Sequence, residues 1–271
     1  MVHIVHLFPQ TLGLFGDGGN VLALRKRLEW RGIDATVSRI DGDDAIPNDG
    51  DVYVIGSGSS NSVRIAGERI GDLRTAVERA LAREAGVLAI GAGLHLLSDG
   101  IDWSDGSHTH GARIVSGMSR PRTSRLVGEF VGTAQGFDVA GFINSGHSLE
   151  SDAASHITDV SMGGAPNDVT VDGVEIGTLI GASSHGPYLP MNPDIADLIL
   201  ERALGVKLQD GGPQLRRADV AAEVEQPAGG DGRGRAEDER GEQGGDPARA
   251  HRSYPTKRSR SSRRSPAGKR H

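Results

Sequence analysis

Two rhythms of apolar residues alternate along the first ninety positions. Val2 to Phe8 is a short run rich in β-branched residues and predicts a strand. From Asn20 to Arg31, Val21, Leu24 and Leu28 recur at helical spacing among charged residues, and Gly32 supplies a stop signal. Asp34 to Ile40 and Asp51 to Ile55 predict a second and a third strand, the latter running into Gly56-Ser-Gly-Ser-Ser60. Ile65 to Glu84 places Ile70, Leu73, Val77 and Leu81 on one face and predicts a single amphipathic helix. Gly86 to Ile90 is apolar throughout, as a strand covered on both faces requires. Strands alternating with helices predict an α/β fold, a doubly wound and mostly parallel sheet with Gly91 at the end of a central strand.

The pattern loosens after Gly111. Arg113 to Val115, Leu126 to Gly132, Phe137 to Ile143 and Val174 to Ile180 are β-like and predict further strands with hairpin insertions. Asn192 to Leu204 predicts a closing helix with Pro193 in its first turn. From Lys207 onward large apolar residues nearly vanish in favour of Gly, Arg, Glu, Ser and Pro. Such a segment cannot bury enough apolar surface to offset the entropy of ordering it. We therefore expect a domain over residues 1–206 and a disordered tail over 207–271.

Charge reinforces this division. The chain carries a net charge of −6, but the tail holds 15 Lys/Arg against 10 Asp/Glu, leaving 15 and 26 to the domain. An acidic domain of this kind makes a poor nucleic-acid-binding fold. The stretch 252–271 has 8 basic residues and no acid, a charge run suited to nucleic acid or an acidic partner, although such runs are usually just solvated. With no cysteine in 271 residues, disulfides, thiolate metal sites and cysteine nucleophiles are excluded. No segment reads as a signal peptide, and the apolar run from Gly86 to Leu97 is shorter than the ~20 residues of a membrane span, so a cytoplasmic location is expected.

Candidate chemistry concentrates in two places. Val87-Leu-Ala-Ile-Gly-Ala-Gly-Leu-His-Leu-Leu97 is a buried strand breaking at Gly91 into an apolar helix. That layout fits a nucleophile elbow, with a helix N-terminus behind it to hold developing negative charge, and fits a tightly packed turn equally well. His185, in a loop fixed by Gly186 and Pro187, has the character of a general base, although a lone loop histidine is most often structural.

Three segments together resemble a known family. Phe15-Gly-Asp-Gly-Gly-Asn-Val-Leu-Ala-Leu-Arg-Lys-Arg-Leu-Glu-Trp-Arg-Gly-Ile33 is similar to the opening of the glutaminase subunits of lipid II isoglutaminyl synthase (GatD), within the CobB/CobQ-like class I glutamine amidotransferases. His185-Gly-Pro-Tyr-Leu-Pro-Met-Asn-Pro-Asp-Ile-Ala-Asp197 resembles their catalytic-histidine segment, and Gly141-Phe-Ile-Asn144 their Gly-Phe-Glu-Asn stretch. The resemblance spans residues 3 to about 204 and implies a class I amidotransferase fold needing no metal or cofactor. It also implies glutamine as ligand, a MurT-like Mur-ligase-family partner, and amidation of the D-glutamate of lipid II with the ammonia released. Carried onto this chain, it makes His185 the proton-transferring histidine and Arg125 the glutamine-binding arginine, with Gly58 and Ala92 as oxyanion-hole positions. The nucleophile's position falls on Gly91, which has no side chain with which to form a thioester.

The departures extend beyond that position. Ala92, Gly93 and His95 follow the elbow where the family has two glycines and usually a glutamine, and Ile143 replaces a glutamate. Changes spread around a whole pocket imply a naturally degenerate site. Ser57, Ser59, Ser60, Ser183 and Ser184 are the candidate substitute nucleophiles, weak ones unless a base is aligned with them. The leading expectation is a catalytically degenerate partner subunit. The alternatives are an amidotransferase of unorthodox chemistry, a glutamine-binding sensor, and a scaffold whose basic tail is the working part.

Overall fold

Period-two alternation along the parallel strands divides the core in two. The computed structural model describes residues 1–162 and 170–209. The first half contains β1 (Val2–Leu7), α1 (Gly18–Glu29), β2 (Ala35–Ile40), β3 (Val52–Ile55), α2 (Ser60–Gly67), α3 (Ile70–Ala82), β4 (Gly86–Ile90) and α4 (Ala92–Leu97). Then come β5 (Gly100–Asp102), β6 (His108–His110), β7 (Met118–Ala134), β8 (Phe137–Glu150) and β9 (Thr158–Met162). The last elements are β10 (Val174–Ile176), β11 (Leu179–Ala182), β12 (Ser184–His185), α5 (Tyr188–Met191) and α6 (Pro193–Leu204).

The first sheet has the order β10-β11-β4-β3-β1-β2, parallel except for β10 at one edge. Successive side chains on a strand point to opposite faces. Val5, Leu7, Tyr53, Ile55, Val87 and Ala89 accordingly pack on one side with Leu73, Val77 and Ala80 of α3. Ile4, Val52, Val54, Leu88 and Ile90 pack on the other with Leu24 and Leu28 of α1 and Ile195, Ile199 and Leu200 of α6. Each fully buried Leu or Ile contributes about 1.5–3 kcal/mol. Asp197 of α6 further ties the two helices by accepting hydrogen bonds from Arg27 and, at 2.8 Å, from Arg31 Nη2. The doubly wound arrangement read from the sequence is the observed fold, with β4 central and Gly91 at its carboxyl end.

The structure corrects three local expectations. The helix expected from Ile65 to Glu84 is two helices. Ser59 caps the first by accepting from the Ser62 N–H at 3.2 Å, which starts it ahead of the apolar periodicity. Arg69 then leaves helical geometry (φ −102°, ψ 22°), and its guanidinium donates to the carbonyls of Gly42 and Asp44 and to Asp72. Arg113 to Val115 is a loop, with Arg113 in the left-handed region (φ 57°). Its amides donate to the carbonyls of Leu97 and Ser98, closing the end of α4, while Val115 fills the core as an apolar loop residue. Val174 to Ile180 is a hairpin of two strands turning at Gly177 (φ 58°).

The glycine-rich middle of the chain builds a second sheet, ordered β12-β8-β7-β5-β6 with β9 on β7, which the sequence pattern does not reveal. Its long β7–β8 pair shifts register between Pro121 and Leu126, a break that contains Arg125. Among the described residues no helix is long and apolar enough to cross a membrane. After α6, Gly205 takes the left-handed conformation (φ 64°) that ends the helix. Lys207 to Gln209 are described; the rest of the tail, including the basic run 252–271, lies outside the described residues, as does the disorder expected of it.

Candidate active site

β11 lies beside β4 in parallel register, Ala182 opposite Ile90, and the Gly91 N–H donates to the Ala182 carbonyl at 2.8 Å. Both strands therefore end at the same sheet edge. β4 turns sharply at Gly91 into α4, whereas β11 crosses into the second sheet as β12, where His185 pairs with Phe142. This crossing brings two residues far apart in sequence into one place. A Cβ built on Gly91 would stand 3.3 Å from His185 Cε1.

Gly91 has φ 54° and ψ −118°, a conformation only glycine adopts without strain. The strand-to-helix elbow is therefore present in the backbone. The space over it is filled by Ser57. A Cβ on Gly91 would meet Ser57 Oγ at 2.6 Å and Ser57 Cβ at 2.9 Å. The Ala92 N–H, the amide just past the elbow, donates to Ser57 Oγ at 3.0 Å. His185 Nδ1–H donates to the Ser183 carbonyl at 2.9 Å, leaving Nε2 as the acceptor that faces Ser57 Oγ at 3.5 Å. Burial lowers the His185 pKa, so the neutral ring is the resting form.

The N-terminal segment supports this arrangement. Phe15 packs edge-on against the His185 ring at 4.8 Å. Asn20 Oδ1 accepts from the Leu189 N–H at 2.9 Å, so the two segments that carried the resemblance interlock. Asp17, fully buried, accepts from the Ser57 N–H at 3.1 Å and holds the loop after β3; burial pushes its carboxyl up to about 6. Behind His185, Asp172 accepts from the Ser183 N–H at 2.9 Å, and burial raises its carboxyl too.

A cavity of about 330 Å³ opens in front of the elbow, lined by Ser57, Gly58, Ser59, Ser60, Ala92, His95, Trp103, Arg125, His147 and His185 among others. The structure thus brings together His185, Arg125, Gly58, Ala92 and the strand end at Gly91. Ser57, Ser59 and Ser60 line the cavity, whereas Ser183 lines a smaller neighbouring one and buried Ser184 lines neither. Arg125 Nη1 donates to Asn144 O and Oδ1 at 2.8 and 2.7 Å. Ile143 is core. Sequence reasoning passed over Asp17, Asp172 and His147. Asp17 sits within a quoted motif, but nothing local marks the other two.

The CobB/CobQ-like glutamine amidotransferase domain matches residues 3–193. The chain belongs to that family. The GatD subunit of lipid II isoglutaminyl synthase (glutamine-hydrolyzing) from Staphylococcus aureus (strain N315) is 30% identical over 203 residues, covering 74% of this chain and 83% of the relative. Its namesake from Streptococcus pneumoniae (strain ATCC BAA-255 / R6) is 26% identical over 212 residues, covering 76% and 82%. In three dimensions the chain is similar to the glutaminase domain of Trypanosoma brucei CTPS with bound acivicin. The TM-score is 0.50 at 11% identity, covering 78% of this chain and 98% of that one, a likeness of fold alone. This member of the CobB/CobQ-like family is thus a GatD homologue whose elbow residue is glycine.

Proposed function

We propose that this chain is the amidotransferase-fold subunit of a lipid II isoglutaminyl synthase-type complex, paired with a MurT-like Mur-ligase-family subunit, and that it does not hydrolyse glutamine, having no thiol to form a thioester. The subunit role follows from similarity to two GatD proteins over most of their length. The silent chemistry rests on one observation: Gly91 occupies the elbow, and Ser57 Oγ fills the space a nucleophile would need while consuming the Ala92 N–H. That amide is one of the two positions the family resemblance makes oxyanion donors, Gly58 being the other. A site whose donor is already satisfied has lost the stabilisation that drives acyl transfer. The partner ligase would then draw on free ammonia or another source.

The test is co-purification with a MurT-like Mur-ligase-family protein, followed by ammonia release from glutamine with and without it. A stable complex that releases no ammonia above background supports both halves. Failure to form a complex removes the first half, and robust release abolished by His185→Ala removes the second.

One observation favours a second reading. Ser57 Oγ faces His185 Nε2, the arrangement of a hydroxyl nucleophile and its base, although 3.5 Å is long for proton transfer. In that reading Ser57→Ala alone would abolish ammonia release.

A further inference from the structure

We infer that the cavity binds a small anion, a ligand bearing carboxylate or phosphate oxygens and no ammonium group, in preference to zwitterionic glutamine. This rests on the reading that glutamine is not turned over here. The Arg125 guanidinium and three imidazoles, of His95, His147 and His185, line the cavity, and no Asp or Glu is among its described lining residues. The contrast with the acidic domain around it is large, since residues 1–206 hold 26 acids to 15 bases. The α-ammonium of glutamine would find no carboxylate among the described lining residues and would sit in the same cavity as the Arg125 guanidinium. An anion would meet the Arg125 charge and hydrogen-bond donors.

Three further features point the same way. The Arg125 guanidinium is anchored through Nη1 on Asn144, and its Nη2 and Nε have no hydrogen-bond partner among the described residues, leaving an oriented edge for a carboxylate or phosphate. His95 is 6% exposed, and neither ring nitrogen has a partner among the described residues. Its ring stands 6.2 Å from that of His147 at the same end of the cavity. A buried unpaired imidazole is costly, and a ligand oxygen at that end would supply its missing acceptor. Finally, β3 runs through Gly56-Ser-Gly-Ser-Ser60 into α2, with the amides of Gly58 and Ser60 lacking partners among the described residues. Serine hydroxyls and free amides ahead of a helix favour oxyanions.

The experiment is calorimetric titration of the full chain with glutarate, inorganic phosphate and L-glutamine under identical conditions, repeated on Arg125→Gln and His147→Gln. The expected result is that one of the two anions binds at least about ten-fold tighter than glutamine, and that both variants weaken it about ten-fold. Glutarate against phosphate identifies which oxyanion the cavity takes. Glutamine binding as tightly as both anions, no binding of either anion, or anion binding untouched by both variants would each overturn the inference. Ammonia release in the same samples would sink the proposed function separately, without deciding the order of affinities.

Discussion

Restoring a cysteine at the elbow is the sharpest probe of why this site is silent. In Gly91→Cys the new Cβ would lie 2.6 Å from Ser57 Oγ and 2.9 Å from Ser57 Cβ, closer than real atoms stand. Ser57 must move, and the Ala92 N–H loses its acceptor at 3.0 Å. Orphaning that amide costs ~1–3 kcal/mol, and holding a non-glycine residue at φ 54°, ψ −118° costs another ~1–3 kcal/mol. The single variant should therefore unfold ~2–6 kcal/mol more readily in urea than the natural chain. Adding Ser57→Gly relieves the overlap but leaves the Ala92 amide without its serine acceptor, so the double variant should remain less stable than the natural chain. It also frees the Ala92 amide to face an oxyanion. One such donor is worth about 100- to 1,000-fold in rate, so ammonia release should rise by up to that factor from single to double variant. Equilibrium urea denaturation and a coupled ammonia assay, run with the ligase partner, read the two effects. A single variant as stable as the natural chain, and as active as the double, would refute the idea that Ser57 closes the site.

Other expectations follow from burial. Asp17, fully buried with its carboxyl raised from 3.8 to about 6, favours the protonated fold; that contribution is complete below pH 4 and is lost as pH rises to 6. Asp17→Asn should therefore stabilise the protein above pH 6 by about 3 kcal/mol and change little near pH 4, measured by denaturation across pH. His6 behaves oppositely: burial, then Arg39, lowers it from 6.5 to about 4, so its contribution is full above pH 6.5 and fades towards pH 4. His6→Leu should flatten that acid limb by about 3 kcal/mol, and an unchanged limb would count against it. Asp197→Ala would strand Arg27 and Arg31 between α1 and α6 and should cost about 3 kcal/mol by the same denaturation measurement.

Much of this architecture is written locally. Val87 to Ile90 is apolar on both faces because helices cover both sides of β4, and Val21, Leu24 and Leu28 mark one helical stripe, so the strand and helix are legible as they stand. Legible too are the elbow position and the absence of any thiol, because a missing side chain is a property of the sequence itself. The break at Arg69 was not legible, because its determinants are the carbonyls of Gly42 and Asp44, remote in sequence. Nor was the second sheet, whose pairing is set by register between distant segments. The role of Ser57 belongs to the same class. The sequence offers five serines as possible substitutes. Only the parallel register of β11 on β4, the crossing to β12 and the hold of Asp17 on the loop after β3 select one of them. Residue types and periodicity thus determine which elements form and which chemistry is unavailable. Contacts a hundred residues apart decide that a serine, seated on the Ala92 amide and facing His185, fills the place a nucleophile would need.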